Sequence, residues 1–399
     1  MIRKALVDIV YEAAHMQRWN DHIRPHQGFS ELDKQAHKII IAFVLSKFEE
    51  TDRSTIIDWQ ALIEGAVFEF LQRIVLTDIK PPIYHKLMAE KGRELNAWVI
   101  NQLKNKTEDL KGDFYRKLVT YLEDPTYSTL EKRILKASHY LATNWEFSII
   151  YRFNAGIYGV EQTKQNIENE LEEYYDLSGV QKLGLGKKAY NFIDLVGQLR
   201  FQKRWAQSPR IPETSVLGHM LVVAILSYLC SLEIDACGMR LRNNFFAGLF
   251  HDLPEVLTRD IVSPVKRSIE GLDEIIKEIE GRQVEDRILP LLPNSWHKEL
   301  LYYMEEEFKS KIIEGDKVTI KSSDTINQSF NDNQFSPLDG EIVKACDHLA
   351  AYIEVNLSIM HGIRSRHLED GLNLYSSYEN KKIAGLNFGQ FFDFYKHRS

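Results

Sequence analysis

The chain has 399 residues, of which 44% are hydrophobic and 27% are charged, and its formal net charge is -7 at pH 7. This composition is typical of a soluble globular protein, and the length favours two domains over one. The acidic balance argues against the basic surface with which proteins bind nucleic acid polymers or anionic membranes. The three cysteines, at positions 230, 237 and 346, have no zinc-binding spacing. We therefore expect reduced thiols in a cytoplasmic protein.

Helical periodicity dominates the chain and predicts an all-α fold. Residues 1–19 are typical of an amphipathic helix, and the longest apolar run, near residues 220–230, is too short to span a membrane. Further helices are predicted at 34–48, 59–75, 130–153, 216–232 and 341–360. Alternation typical of a strand is confined to KVTIK at 317–321, and residues 327–337 indicate a polar loop.

A domain boundary is predicted between residues 156 and 190. Residues 161–175 form an acidic, polar helical pattern, and the following sequence SGVQKLGLGKK contains glycines that are typical of a linker. We therefore predict a first domain at 1–156, a linker helix with a Gly-containing linker at 157–190, and a second domain at 191–399. The insertion at 313–338 carries no recognisable motif, and either a lid or a surface loop fits it.

The two halves of the chain resemble each other in four places that follow the same order. The matching features are Arg18-Trp19 with Arg204-Trp205, the helix-opening His37 with His219, residues 65–82 with 248–264, and residues 134–139 with 342–347. Four matches in one order predict a tandem duplication.

The two repeats differ at the residues that could carry chemistry. The first repeat has Phe68, Glu69, Gln72 and His139 where the second has His251, Asp252, Glu255 and Asp347. Phenylalanine cannot ligate a metal ion. We therefore expect one active site, in the second half, and a degenerate first repeat without a metal site.

The second half presents histidines and carboxylates in the order H…HD…D, at His219, His251, Asp252 and Asp347. Mixed nitrogen and oxygen donors suit Mn, Co, Ni, Fe or Zn better than Ca or Mg. Asp347 lies in an otherwise apolar helix, where an unpaired carboxylate would be costly. We predict that these four residues hold one divalent transition metal ion.

This pattern resembles the HD-domain superfamily of metal-dependent phosphohydrolases over about residues 191–375, and within it the bacterial HD-domain 5'-deoxyribonucleotidases. The motifs that carry the resemblance are Arg204-Trp205, His219, HDLPE at 251–255, LTRD at 257–260, PVK at 264–266, and Asp347 with Tyr352. The resemblance implies two tandem HD-domain helical bundles, a divalent metal, and hydrolysis of nucleoside (deoxyribo) 5'-monophosphates. This chain departs from the family in being about twice as long. It also has Gly218 where the family has a glutamate, which leaves the substrate open.

The roles of the remaining residues follow from this chemistry. Glu255, with Asp260, is expected to act as the general acid or base. The planar guanidinium of Arg204 is expected to clamp the phosphate, with Lys266 as a weaker contact. Trp205 is expected to pack against the sugar or base. A purely structural role for Arg204-Trp205 stays open, because the degenerate repeat keeps the same pair.

Two alternatives stay open beside the nucleotidase. The chain could be another HD phosphohydrolase, acting on a nucleoside triphosphate, a cyclic nucleotide or an alarmone, or a nucleotide-sensing protein without catalysis. In each case the expected partner is a small nucleotide and neither a nucleic acid polymer nor a membrane. The fused first repeat could replace the partner of a dimeric HD enzyme as an intrachain pseudo-dimer, and a further homodimer is also open.

Overall fold

The computed structural model describes residues 1–25, 28–77, 79–259 and 269–396. The chain divides into two compact units, Met1–Asp194 and Leu195–Ser399, here called the first unit and the second unit. Helices make up most of both units, and the strands of the described residues form only two short antiparallel hairpins. The prediction of an all-α fold is confirmed.

The first unit is organised around one long buried helix. Its helices are α1 (Lys4–His15), α2 (Glu31–Arg53), α3 (Trp59–Leu76), α4 (Pro81–Thr107), α5 (Phe114–Glu123), α6 (Thr129–Asn154), α7 (Val160–Glu172) and α8 (Ser178–Gly184), and α9 (Lys188–Gly197) spans the boundary of the units. Helix α2 packs against α6 and α8 and is buried over most of its length. The helices predicted at 34–48, 59–75 and 130–153 are confirmed as α2, α3 and α6.

Part of the Gly-containing sequence that predicts a linker is helical. Residues 178–184 form α8, which packs against α2. Gly179 is buried, and a Cβ atom there would lie 3.0 Å from the Cα atom of Leu45. The glycine therefore permits a close approach of two helices and does not supply chain flexibility.

The second unit has a helical core with one folded insertion. Its elements are a 3-10 turn (Gln198–Phe201), α10 (Val216–Glu233), α11 (Gly238–Phe250), α12 (Glu255–Thr258), α13 (Leu272–Gln283), α14 (Asn294–Met304), β1 (Lys311–Glu314), β2 (Lys317–Ile320), α15 (Ser323–Ser329), α16 (Gly340–Met360), α17 (Arg366–Gly371), β3 (Lys382–Ile383), β4 (Leu386–Asn387) and α18 (Gly389–Asp393). The predicted helices at 216–232 and 341–360 are confirmed as α10 and α16. The strand predicted at 317–321 is confirmed as β2.

Helix α10 is the central helix of the second unit and packs against α11 and α16. By length and composition it could cross a membrane, but 94% of its apolar window is buried inside the protein, as in the core helix of a soluble domain. Gly248 lies where α11 meets α10, and a Cβ atom at this position would be 2.8 Å from the Cα atom of Ala224. The two helices therefore approach more closely than an alanine would allow.

A buried ion pair fixes α11 against the start of α16. The Nε atom of Arg240 lies 2.6 Å from Oδ2 of Asp339, and Asn244 donates to the same oxygen at 2.9 Å. Residues 313–338 form a folded segment, because β1 pairs with β2 and Lys311 pairs with Leu338 at the far end. The ion pair thus fixes α11, which precedes His251 and Asp252, against α16, which carries Asp347.

Candidate metal site

Two histidines of the candidate site are positioned by backbone contacts. Ser215 caps α10 by accepting a hydrogen bond from the Gly218 N–H at 2.9 Å, which places His219 in the first turn, fully buried. Helix α11 ends at Phe250, one residue before His251. The Nδ1 atom of His251 lies 2.8 Å from the Gly248 carbonyl oxygen. This contact favours a proton on Nδ1 and leaves Nε2 as an electron-pair donor.

Asp347, on α16, brings its carboxylate to both histidines. Its Oδ1 atom lies 2.8 Å from Nε2 of His219 and 4.0 Å from Nε2 of His251. One ligand atom from each of these three residues lies within 4.8 Å of the others. Asp252 adjoins this group, with Oδ2 3.1 Å from Nε2 of His251. The four predicted ligands are thus brought together from α10, α11 and its C-terminal turn, and α16.

The donor set suits a divalent cation. Among the described residues, neither Nε2 of His251 nor Oδ2 of Asp252 has a partner that meets hydrogen-bond geometry, although both are buried. Buried polar atoms of native proteins are normally satisfied, and a cation held between these two atoms would satisfy both. Two imidazole nitrogens and two carboxylates also match the chemistry of a borderline transition metal.

The pKa values of the site residues also favour a bound cation. Burial acts to lower the pKa of His251, but the adjacent Asp252 outweighs it and raises that pKa to about 9. Burial acts to raise the pKa of Asp252, but His251 and Arg204 lower it to about 2. The pKa of Asp347 is also lowered, because His219 outweighs the effect of burial. The carboxylates therefore stay ionised and favour positive charge between them.

Arg204 places its guanidinium beside both of these carboxylates. Its Nη1 atom lies 3.6 Å from Oδ2 of Asp252, and its Nη2 atom lies 3.8 Å from Oδ1 of Asp347. The same arginine lines a cleft of about 290 Å³, formed by residues 203–210 and Glu213. Arg204 thus connects the predicted ligands to a cleft that solvent can enter.

Trp205 is held by a buried carboxylate that the sequence did not single out. Its Nε1 atom donates to Oε2 of Glu354 at 2.9 Å, and Thr214 donates to Oε1 of the same residue at 2.7 Å. Glu354 is 1% exposed, and its Oε1 atom lies 3.6 Å from Nδ1 of His219. Its sequence signal is the seven-residue separation from Asp347, which places both on one helix face.

Glu255, Asp260 and Lys266 complete the predicted set. Glu255 begins α12 in the turn directly after Asp252, and it is 7% exposed. Asp260 and Lys266 lie outside the described residues. The structure therefore gives the buried position of Glu255, and the roles of all three residues stay predictions.

Comparisons with known proteins give one family model and three relatives. Residues 196–375 match the family model of an HD domain. The chain is 26% identical over 175 residues to a 4'-phosphooxetanocin A phosphatase of Priestia megaterium, covering 43% of this chain and 75% of the relative. It is 22% identical over 186 residues to a 5'-deoxynucleotidase of Pasteurella multocida, covering 44% and 77% respectively. A 5'-deoxynucleotidase of Vibrio atlanticus is 25% identical over 147 residues, covering 35% and 71%. The second unit of this chain is therefore similar to HD domains, and the three relatives are named as a phosphatase and two nucleotidases.

Proposed function

We propose that the protein is a metal-dependent phosphomonoesterase that removes phosphate from nucleoside 5'-monophosphates, including deoxyribonucleotides. The observation that carries this proposal is the convergence of His219, His251 and Asp347 on one point, with Arg204 between that point and an open cleft. Two features that favour hydrolysis of phosphate esters meet there, namely a place for a cation and a planar guanidinium.

His219, His251, Asp252 and Asp347 would hold the divalent ion. When bound, such an ion supplies Lewis-acid polarisation of a phosphoryl oxygen and lowers the pKa of water. Arg204 binds a second phosphoryl oxygen and orients the ester, because its guanidinium is planar and always charged. The cleft at residues 203–210 receives the nucleoside.

Glu255 takes the proton-transfer role in this proposal. It accepts a proton from a water molecule whose oxygen bonds to phosphorus as the P–O5' bond breaks, and it then returns this proton to the 5'-oxygen, which leaves as the hydroxyl of the nucleoside. Asp260 is proposed to assist this transfer, and Lys266 to contact the phosphate. Trp205 is proposed to anchor the loop that carries Arg204, because its indole N–H is bonded to Glu354.

The names of the relatives support the substrate class. One is a phosphatase of a phosphorylated nucleoside analogue, and two are 5'-deoxynucleotidases. A small, soluble nucleotide as substrate also agrees with the proposed cytoplasmic location.

Phosphate release tests the proposal. The metal-stripped protein is assayed with ribo- and deoxyribonucleoside monophosphates after addition of Mn, Co, Ni, Fe, Zn or Mg ions. We expect metal-dependent release that is lost in Asp252→Asn and retained in Glu69→Gln, a matched acidic position of the first unit. No release by folded protein with any of these metals would refute the monophosphatase. Release from triphosphates or cyclic nucleotides alone would indicate another HD phosphohydrolase, and nucleotide binding without turnover would indicate a sensor.

A further inference from the structure

The two units share a local framework that fixes which residues correspond. Ser30 caps α2 by accepting from the backbone N–H three residues later at 3.2 Å, and Ser215 caps α10 in the same way at 2.9 Å. Ser30 also forms an isolated β-bridge with Gln17, and Ser215 forms one with Lys203. Gln17 and Lys203 are each followed directly by an Arg-Trp pair. Four residues after the caps stand Lys34 and His219.

The other end of the framework matches as well. Trp19 and Trp205 both have positive φ, at 59° and 56°. Trp19 donates through Nε1 to Glu146 at 2.9 Å, and Trp205 donates to Glu354 at the same distance. Glu146 follows His139 by seven residues, and Glu354 follows Asp347 by the same number. His139 of the first unit therefore corresponds to Asp347 of the second.

A lysine therefore occupies the position of a metal-ligating histidine. The Nζ atom of Lys34 lies 2.5 Å from Nδ1 of His139, where the second unit has His219 facing Asp347 at 2.8 Å. Lys34 is 0% exposed. An amino group with this contact fills space that an ion would need.

A second lysine, one turn further along α2, supplies the positive charge. The ammonium of Lys38 pairs with the carboxylate of Glu69. Glu69 corresponds to Asp252, because each follows a matching glycine, Gly65 or Gly248, by four residues. Tyr121 donates to the other oxygen of Glu69 at 2.7 Å. The carboxylate that corresponds to Asp252 is thus satisfied by the protein itself.

The surrounding charges are also matched within the first unit. Arg18 lies 2.8 Å from Glu146 and 2.9 Å from Glu31, and Arg73 lies 3.6 Å from Glu31. Arg18, Lys38 and Arg73 thus face Glu31, Glu69 and Glu146. Among these six side chains, cations and carboxylates are balanced without an added ion.

We propose that Lys34 and Lys38 close the first unit's counterpart of the metal site, so that side-chain cations hold this unit together and the whole chain binds a single divalent ion. The first unit then keeps its packing in the absence of metal, whereas the candidate site of the second unit needs one. This inference concerns the first unit and does not depend on the substrate of the second.

Metal stoichiometry of the full chain is the first test. Protein is stripped with a chelator, titrated with Mn²⁺ or Zn²⁺, desalted, and measured for bound metal by elemental analysis. We expect one ion per wild-type chain and none in the Asp252→Asn/Asp347→Asn double variant. One tightly bound ion in a folded double variant would overturn the proposal. Absence of metal from the wild type would instead refute the ion in the second unit, and the lysine variants would then decide the proposal.

Thermal melting of lysine variants is the second test, and it needs no catalysis. We expect Lys38→Met to lower the melting temperature by several degrees, equally with and without metal, because Glu69 loses its cation. Lys38→Met/Glu69→Gln should recover most of that loss. Lys47→Met, which removes a partly exposed lysine of the same helix, is the control and should change little. An unchanged melting temperature in Lys38→Met, or no recovery in the double variant, would contradict the proposal.

Discussion

Glu354 offers the sharpest prediction, because the first unit contains its matched control. We expect Glu354→Gln to weaken binding of the divalent ion about 10- to 100-fold, the usual effect of losing a carboxylate behind a metal-ligating histidine. That factor corresponds to about 1.4–2.8 kcal/mol. The substitution removes the charge 3.6 Å from Nδ1 of His219 but keeps the size of the side chain.

The same substitution carries a structural cost that must be separated from the metal effect. Glu354 accepts bonds from Trp205 and Thr214, and an amide can replace only part of that pairing, at a cost of about 1–3 kcal/mol in unfolding free energy. Glu146→Gln in the first unit disturbs an equivalent bond, from Trp19 at 2.9 Å, but lies in the unit for which we propose no ion. It should therefore destabilise the protein without changing metal affinity.

Two measurements decide this prediction. Competition with a chromogenic chelator gives the metal affinity of each variant, and denaturant unfolding of metal-stripped protein gives its stability. We expect Glu354→Gln to change both quantities and Glu146→Gln to change only the second. Equal metal affinities in the two variants would show that Glu354 is part of the packing and does not position His219.

Three further predictions test the phosphate contact, the core and the charge of the site. Arg204→Lys should lower kcat/KM by at least about tenfold, because an ammonium cannot reproduce the planar contact of a guanidinium with phosphate. Arg242→Lys is the control, since Arg242 is distant in sequence and pairs with Glu299, and it should leave kcat/KM unchanged. Equal kcat/KM values in the two variants would show that Arg204 does not contact the phosphate. Gly248→Ala should cost about 1–3 kcal/mol of unfolding free energy in a urea titration, because its Cβ atom would meet α10; wild-type stability would contradict the close approach. In metal-stripped protein the pKa of His251 is raised to about 9, above the unfolded value of about 6.5, so its stabilisation is complete below about pH 6.5 and is lost as pH rises through 9. The melting temperature should therefore fall between pH 7 and 9.5, and His251→Gln should flatten that dependence.

The helical fold and most of the candidate ligands could be predicted from the sequence. Long apolar periodicities predicted α2, α3, α6, α10 and α16, because burial of one helix face leaves a 3.6-residue pattern. Histidines and aspartates in apolar surroundings are rare enough to draw attention, so His219 and Asp347 could be paired with the His251-Asp252 motif. Glu354 was missed because a single carboxylate in a helix has no signature until its neighbours are known.

The comparison of the two halves failed at one point for an identifiable reason. The sequence pairs His37 with His219 because both precede an apolar run, but α2 begins at Glu31 and His37 lies in its second turn. His37 packs on Trp145 and contacts the carbonyl oxygen of Ile193, away from the counterpart of the metal site. The serine caps give the correct register, and this register pairs His219 with Lys34.

This register changes how the loss of the first site is understood. Phe68 stands in the first unit where the second has His251. If this were the only difference, buried carboxylates would be left without an ion, which would destabilise a protein interior. The observed set avoids that cost, since Lys38 pairs with Glu69 and His139 replaces Asp347 beside Lys34. A site of this kind has to lose its ion and gain an internal cation together, because either change alone leaves charge unbalanced. This balance therefore predicts that loss of the cation alone, as in Lys38→Met, will destabilise the protein without creating a metal site, which thermal melting and elemental analysis of bound metal would detect.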